Sequence, residues 1–174
     1  DDSNSAVNPG AVEDCNDSDD NCNGEIDEGL AMMWYYDSDN DGFGDPNNFI
    51  KEDCSTQRNL NNKGRLQARF IGSYLKASEI KFSEILTSEW CRCIDTTKEL
   101  SLGKWETFSG LNSFFQGHEK KVQVMNKLQK KLDSIDNSDL VLFVTHQVVI
   151  TEQTGVAPSS GEMVLYNSIT KEKV

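Results

Sequence analysis

The sequence predicts an α/β fold, in which a sheet of mostly parallel strands carries helices on both faces, preceded by an irregular acidic module. Between residues 60 and 166, short apolar runs alternate with longer stretches of helical periodicity. Residues 1–53 hold 16 acidic residues and 1 basic residue, a net charge of −15, whereas residues 54–174 hold 13 and 16, a net charge of +3. This asymmetry indicates an acidic appendage on a nearly neutral domain, and we place the boundary between residues 45 and 46.

The neutral domain, residues 46–174, is predicted to alternate helices and strands. A first helix over residues 60–77 begins at Asn61 or Asn62, both good N-cap residues. Its apolar positions recur at helical spacing, and they are Leu66, Phe70, Ile71, Tyr74 and Leu75. Further helices are predicted over residues 90–100, 119–135 and 147–153, and strands over residues 82–86, 140–145 and 162–166. Residues 101–117 are interrupted by three glycines and have no predicted regular element.

Residues 140–144 form an uninterrupted apolar run, short and β-branched enough for a strand buried on both faces. His146 follows this strand, and a helical pattern then continues toward Gly155. Open α/β sheets place their ligands at the carboxyl ends of such strands. His146 therefore either contributes to a site or caps the next helix, and this stretch alone does not decide between the two.

Arg92 follows the strand over residues 82–86 in the same way that His146 follows the strand over residues 140–145. Because parallel strands end at the same edge of a sheet, the two side chains can converge on one pocket. An arginine fork suits a phosphate group, and a histidine beside it can donate to a phosphoryl oxygen or shuttle a proton. The residues favour a phosphate-ester site; the alternative is a surface arginine and a capping histidine. We interpret His118, the other histidine, as a solvated cap.

The acidic module, residues 1–45, contains two loops in which oxygen donors alternate along the chain. Gly24 and Gly42 each occupy the sixth loop position, where a calcium loop turns sharply, although the glutamate expected at position 12 of the first loop is replaced by Leu30. The predicted calcium ligands are Asp19, Asn21, Asn23 and Asp27 in the first loop and Asp37, Asp39, Asp41 and Asp45 in the second. The alternative is a disordered acidic linker. Zinc is less favoured, because two cysteines without a nearby histidine make a poor tetrahedral set.

Cysteine usage differs between the two parts. Cys15 and Cys22 close a short loop in the acidic module, and we expect them to form a disulfide in an oxidising compartment.

The chain begins without a methionine or a signal peptide, so we expect a processed piece. Without a long apolar run or a basic, aromatic-rich patch, we expect no membrane span and no nucleic-acid partner. We expect calcium as the ligand and no organic cofactor.

The acidic module resembles a known kind of repeat. Asn-Pro-Gly-Ala-Val-Glu-Asp-Cys (residues 8–15), Asn-Gly-Glu-Ile-Asp-Glu-Gly (residues 23–29) and Trp-Tyr-Tyr-Asp-Ser-Asp-Asn-Asp-Gly (residues 34–42) are similar to the acidic metal-binding repeats of bacterial secreted and surface proteins. This resemblance implies an extracytoplasmic setting, whether secreted, periplasmic or surface-bound, and a structural or spacer role without catalysis.

Six motifs of the neutral domain belong together, and they are Asp-Cys-Ser-Thr-Gln-Arg-Asn-Leu (residues 53–60), Leu-Asn-Asn-Lys-Gly-Arg-Leu-Gln-Ala (residues 60–68), Leu-Thr-Ser-Glu-Trp-Cys-Arg-Cys (residues 86–93), Leu-Asn-Ser-Phe-Phe (residues 111–115), Val-Thr-His (residues 144–146) and Ser-Gly-Glu (residues 160–162). With these motifs the domain resembles the histidine phosphatase (phosphoglycerate mutase-like) superfamily over about residues 45–166. The resemblance implies a hydrolase fold in which Arg92 binds phosphate and His146 is the second pocket histidine. Arg58 is a further candidate for substrate binding, and the implied partner is a phosphorylated small molecule or a phosphoprotein.

The sequence departs from that family at the nucleophile. The family's nucleophilic histidine ends the first, central strand in an Arg-His-Gly motif, and this chain has no histidine before residue 60. We therefore expect an incomplete sheet and impaired covalent catalysis. Glu99, Glu106 and Glu162 remain open as candidates for the proton-donating carboxylate. The alternative function is a non-catalytic calcium-binding spacer in a secreted or surface protein.

Overall fold

The computed structural model describes residues 8, 9, 11, 21–23, 50–136 and 138–173, apart from the side chain of Gln116. The chain divides into two compact units, Asp1–Tyr35 and Tyr36–Val174. The sequence prediction placed the boundary between residues 45 and 46, in a stretch that lies outside the described residues. All of the helices and strands given below belong to the second unit.

The centre of the second unit is a small parallel sheet. Its three strands are β1 (Glu84–Thr87), β2 (Glu106–Thr107) and β3 (Val141–Val144), in the order β2-β1-β3. Thr87, at the end of β1, stands opposite Val144, at the end of β3. Because the strands are parallel, the segments that follow β1 and β3 leave the sheet at the same edge. The predicted parallel α/β class is confirmed.

The helices are those that the periodicity predicted. They are α1 (Asn62–Ala77), α2 (Cys91–Leu100), α3 (Lys121–Leu132) and α4 (Gln147–Thr154), with short 3-10 turns at Cys54–Thr56, Ser109–Leu111 and Phe115–Gly117. The side chain of Asn61 accepts a hydrogen bond from the amide of Gly64 at 2.9 Å and caps α1. At the end of α4, Gly155 adopts a left-handed conformation with φ of +72°.

Apolar side chains fill both faces of the sheet. On one face, Leu86 of β1 packs with Val124 and Leu128 of α3 and Val149 of α4. On the other face, Ile85 packs with Leu100 of α2 and Leu142 of β3, supported by partly buried apolar residues that include one from α1. The two faces alternate along β1 as the pleat requires, so helices cover both sides of the sheet, as predicted.

The buried side of α1 differs from the one that the sequence predicted. Leu66, Phe70 and Tyr74 are 63%, 74% and 65% exposed, whereas Ala68, Gly72 and Leu75 are buried. A Cβ atom on Gly72 would collide with the carbonyl oxygen of Leu100. The close approach of α1 to α2 therefore selects small residues for the contact. Of the five predicted apolar positions, Ile71 and Leu75 pack inward as expected, whereas the other three face outward.

One predicted strand is not formed, and one observed strand was not predicted. Residues 162–166 do not form one: Tyr166 makes only an isolated antiparallel bridge with Lys173, and the carboxylate of Glu162 accepts from the amide of Ser159 in a local turn. Conversely, β2 was not predicted, because a strand of two residues is too short to produce a recognisable alternation.

Among the described residues, one disulfide is formed, between Cys54 and Cys91 of the second unit, which are 37 residues apart in sequence. Cys22 is an exposed free thiol, so the predicted Cys15–Cys22 disulfide is not formed, and Cys15 itself lies outside the described residues. Closeness in sequence does not place two sulfur atoms at bonding distance; that depends on the direction of the Cα–Cβ vectors.

Across the part of the chain that the structure describes, no helix has the length and apolarity needed to cross a membrane.

Candidate functional site

His146 occupies the N-cap position of α4, but its side chain does not cap the helix. The residue is 6% exposed, and its ring points toward the segment that follows β1. There it contacts Ser88, which is fully buried, and Arg92 in the first turn of α2. The interpretation of His146 as a helix cap is wrong, and the predicted convergence of Arg92 and His146 is what the structure shows.

The hydrogen bonds around His146 determine its tautomer. Nη2 of Arg92 lies 2.9 Å from Nδ1 of His146, and because a guanidinium only donates, Nδ1 must be the acceptor. The proton of the neutral ring therefore resides on Nε2, which lies 2.9 Å from Oγ of Ser88. Ser88 in turn donates to Oδ1 of Asn112 at 3.0 Å. The three contacts agree on one arrangement, a neutral imidazole protonated at Nε2.

The electrostatic environment favours the same state. Burial, and then the positive charge of Arg92, lower the pKa of His146 well below its ordinary value of 6.5. Burial, and then the charge of Arg58, likewise lower the pKa of Arg92, although its neighbour Cys93 acts in the opposite direction. At neutral pH the site therefore contains a neutral imidazole with its Nδ1 lone pair directed at a cationic arginine.

Asn112 connects this pair to an acidic network. Its Oδ1 also accepts from the amide of Glu89 at 2.9 Å, and its Nδ2 donates to carboxylate oxygens of Glu89 at 2.7 Å and Glu119 at 3.1 Å. Nζ of Lys51 lies 3.0 Å from Glu89 and 3.4 Å from Glu119. Burial tends to raise the pKa of Glu89, but the hydrogen bonds from Asn112 and Lys51 outweigh it, so the pKa is lowered. Both carboxylates thus share one lysine as counter-ion and one amide as hydrogen-bond donor.

Trp90 forms a wall of the site. The guanidinium carbon of Arg92 stands 4.7 Å from the centroid of the Trp90 ring, and the ring of His146 meets it edge-on at 5.3 Å. The ring of His118 also meets Trp90 edge-on, at 5.7 Å. The interpretation of His118 as a solvated cap is wrong: the side chain is partly buried, and it packs against a residue that also contacts Arg92 and His146.

Residues 50–58 reach the same site as a strap that lies against the start of α2. The disulfide joins Cys54 to Cys91, and the side chain of Gln57 accepts from the amide of Cys91 at 2.9 Å while donating to the carbonyl of Lys51 at 2.7 Å. Arg58 follows directly, and its charge acts on Arg92. The structure therefore brings all three predicted substrate-contacting residues, Arg58, Arg92 and His146, to one region.

Cys93 is the only free thiol near the site among the described residues. Its sulfur lies 3.6 Å from Nε2 of His146, but burial raises its pKa to about 11. Thiolate, not thiol, is the nucleophilic form of cysteine. Cys93 is therefore protonated at neutral pH and is a poor candidate for nucleophilic attack.

The three carboxylates left open by the sequence are engaged elsewhere. Glu99 pairs with Arg65 and Arg69 between α1 and α2, Glu106 pairs with Lys104, and Glu162 closes its own turn. The acidic residues that the structure does place beside the site, Glu89 and Glu119, were not predicted. For Glu89 a signal was present, because it immediately follows the end of β1.

Most of the predicted metal ligands lie outside the described residues. These are Asp19, Asp27, Asp37, Asp39, Asp41 and Asp45. Of the other two, Asn21 accepts a hydrogen bond from the amide of Asn23 at 3.0 Å, a local turn. No group of three or more histidine, cysteine or acidic side chains that could hold a metal ion occurs among the described residues. Calcium binding stays a prediction.

Comparison with known proteins gives similarities to solved structures only. No family model matches the chain, and no curated protein matches it. Among solved structures, the chain is similar to the protein histidine phosphatase SixA complexed with tungstate. The two share 17% sequence identity, and the alignment covers 67% of this chain and 80% of that chain with a TM-score of 0.46.

Proposed function

We propose that the second unit binds the phosphoryl group of a phosphate monoester, carried by a small molecule or a phosphoprotein, at Arg92 and His146. The observation that supports this most directly is the state of Arg92. Its guanidinium is partly buried, and among the described residues it forms no ion pair with a carboxylate; its contacts are Nδ1 of His146 and the face of Trp90. A desolvated cation without a counter-charge favours an anion.

The chemistry of the pair fits a phosphoryl oxygen. An arginine fork can donate two parallel hydrogen bonds to two oxygens of a phosphoryl group. A neutral imidazole offers only one acceptor nitrogen, so the anion is the better partner for Arg92. When the anion takes over as acceptor for Arg92, Nδ1 of His146 is released and can hold a proton, because the negative charge reverses the effect of Arg92 on its pKa. His146 then donates to the anion from Nδ1 while Nε2 remains fixed on Ser88.

We propose that covalent phosphoryl transfer by this chain is impaired. Nε2 of His146 carries its proton toward Ser88, Nδ1 faces Arg92, and the thiol of Cys93 is protonated. The resemblance to histidine phosphatases implies a nucleophilic histidine upstream of residue 60, which this chain lacks. Binding of phosphate with little turnover is therefore the behaviour we expect from the chain.

Isothermal titration with inorganic phosphate tests the binding step. Arg92→Ala is expected to weaken phosphate binding by roughly 30-fold or more, since a hydrogen-bonded charge pair is lost. Arg92→Lys keeps the charge without the fork, so its phosphate affinity is expected to lie between those of the wild type and Arg92→Ala. Arg69→Ala is the matched control, because Arg69 pairs with Glu99 near the C-terminal end of α2, whereas Arg92 lies in its first turn. Equal phosphate affinity in the wild type and Arg92→Ala, with both folded, would contradict the proposal. Aryl-phosphate hydrolysis at ordinary phosphatase rates would contradict the impairment.

We further propose that the acidic module binds calcium and that the protein acts in an extracytoplasmic compartment. The alternating oxygen donors support the first, and the Cys54–Cys91 disulfide supports the second, because such bonds persist in oxidising compartments. Millimolar calcium is expected to raise the melting temperature relative to chelator, and the double variant Asp37→Ala, Asp39→Ala is expected to lose that shift. Equal melting temperatures of the wild type in calcium and chelator would exclude a stabilising calcium site.

A further inference from the structure

His118 is held beside the candidate site by the residue that follows it. The chain turns at Gly117, which adopts φ of +80°, and His118 ends the short helix Phe115–Gly117. The carboxylate of Glu119 is then fixed by Asn112 at 3.1 Å and Lys51 at 3.4 Å. Asn112 is itself fully buried and accepts from Ser88, the partner of His146. One hydrogen-bonded network therefore positions the backbone next to both histidines.

The ring of His118 shares its neighbour with the two residues of the proposed site. Trp90 contacts His118 at 5.7 Å, His146 at 5.3 Å and the guanidinium of Arg92 at 4.7 Å, measured between ring centroids or to the guanidinium carbon. Partial burial, and then the charge of Arg92, lower the pKa of His118. His118 therefore lies within electrostatic range of Arg92 and against the same indole ring.

The basic residues of the proposed site oppose one another's protonation. Burial, and then the charge of Arg92, lower the pKa values of His118 and His146, and burial, and then the charge of Arg58, lower the pKa of Arg92. The nearby carboxylates, Glu89 and Glu119, are directed at Asn112 and Lys51. Bases that oppose one another's protonation are stabilised together by a bound anion, which favours the charged form of each.

We propose that His118 is a further oxyanion-binding residue of this pocket, which donates a ring N–H to the same anion that Arg92 and His146 contact. The inference rests on the proposed phosphate-binding function and extends it from the predicted residues to one that no motif identified. The competing explanation is that the ring of His118 only packs against Trp90 and contributes no hydrogen bond to a ligand.

Two substitutions distinguish these roles. His118→Phe keeps an aromatic ring against Trp90 but removes both ring nitrogens, whereas His118→Gln keeps a donor and loses the ring. If His118 contacts the anion, titration of the full chain with inorganic phosphate should show affinity reduced roughly tenfold or more in His118→Phe, as one charge-assisted hydrogen bond requires. His118→Gln should retain more of the affinity than His118→Phe. Phosphate affinity in His118→Phe equal to that of the wild type would overturn the proposal.

A second measurement does not depend on the stability of a variant. The chain has two histidines, so the ring nitrogens of both can be followed in a ¹⁵N correlation spectrum of the wild type during phosphate titration. The proposal expects the ring signals of His118 to shift together with those of His146; unchanged His118 signals at phosphate saturation would overturn it. If the wild type binds phosphate and Arg92→Ala abolishes that binding, but phosphate does not shift the ring signals of His118, only this inference fails. Absence of phosphate binding by the wild type would remove the proposed function and this inference together.

Discussion

Asn112 and Ser88 lie 24 residues apart in sequence, and a 3.0 Å hydrogen bond joins their fully buried side chains. Asn112 has a second role in the same position, because its amide nitrogen contacts the carboxylates of Glu89 and Glu119. The orientation of one amide group therefore determines the direction of the Ser88 hydroxyl, and through it the tautomer of His146.

Asn112→Ala is expected to destabilise the protein by about 3 kcal/mol, because it leaves the buried Ser88 and Glu89 groups without their partners. Chemical denaturation measures the free energy of unfolding. Asn126→Ala is the control, since Asn126 is an exposed residue in α3, and it should change stability by no more than about 0.5 kcal/mol. Similar losses in both variants would show that the Asn112 network contributes no special stability.

Stability should fall as the solution is acidified below the ordinary histidine pKa of 6.5, because burial and Arg92 lower the pKa of His146 in the folded protein. In that range the unfolded chain binds a proton that the folded chain does not, so the free energy of unfolding rises with pH. One such group contributes at most about 1.4 kcal/mol per pH unit.

His146→Gln removes the titrating group and should flatten this pH dependence, measured as the free energy of unfolding at several pH values. His118→Gln should flatten it less, because His118 is less buried than His146. A slope that is the same in His146→Gln and the wild type would contradict the assignment of a buried, neutral imidazole.

Reduction of the Cys54–Cys91 disulfide should destabilise the second unit by about 4 kcal/mol, the chain-entropy cost of opening a loop whose ends are 37 residues apart. The double variant Cys54→Ser, Cys91→Ser should melt at the same lowered temperature with or without reductant. Cys22→Ser, at an exposed free thiol, should behave as the wild type does. Melting of the wild type that does not respond to reductant would be inconsistent with a stabilising disulfide.

Thr87→Val should stabilise the protein by about 1 kcal/mol. The Thr87 hydroxyl is fully buried and has no hydrogen-bond partner among the described residues, so an isosteric methyl group removes a desolvation cost. Thr97→Val is the matched contrast, because the buried Thr97 hydroxyl donates to the carbonyl of Cys93 at 2.8 Å. Denaturant midpoints should therefore move in opposite directions, and a loss of stability in Thr87→Val would contradict the structural reason.

The sequence predicted the parts of the site that follow from topology. Arg92 and His146 each come shortly after a strand, and parallel strands end at one edge, so their convergence required no knowledge of side-chain packing. Helix boundaries were also accessible, because Asn61 and Gly155 carry local capping signals.

The remaining features depend on contacts between distant segments. The exposed apolar stripe of α1 has the same periodicity as a buried one, and only the close contact of Gly72 with Leu100 determines which side faces inward. Asn112 and His118 lie in a stretch of short turns between β2 and α3, where no local pattern indicates which strand end they approach. The partner of Cys91 was equally inaccessible, since five cysteines permit many pairings.

The backbone pairing of Thr87 with Val144 has a consequence for how this site tolerates mutation. Ser88 donates its amide to the carbonyl of Val144 at 2.9 Å, so the ladder itself places Ser88 beside the start of the His146 turn. Changing side chains within either strand leaves that alignment in place. Inserting or deleting a single residue in β1 or β3 reverses which side chains face which layer. The site should therefore survive many substitutions in its two strands and almost no change in their length.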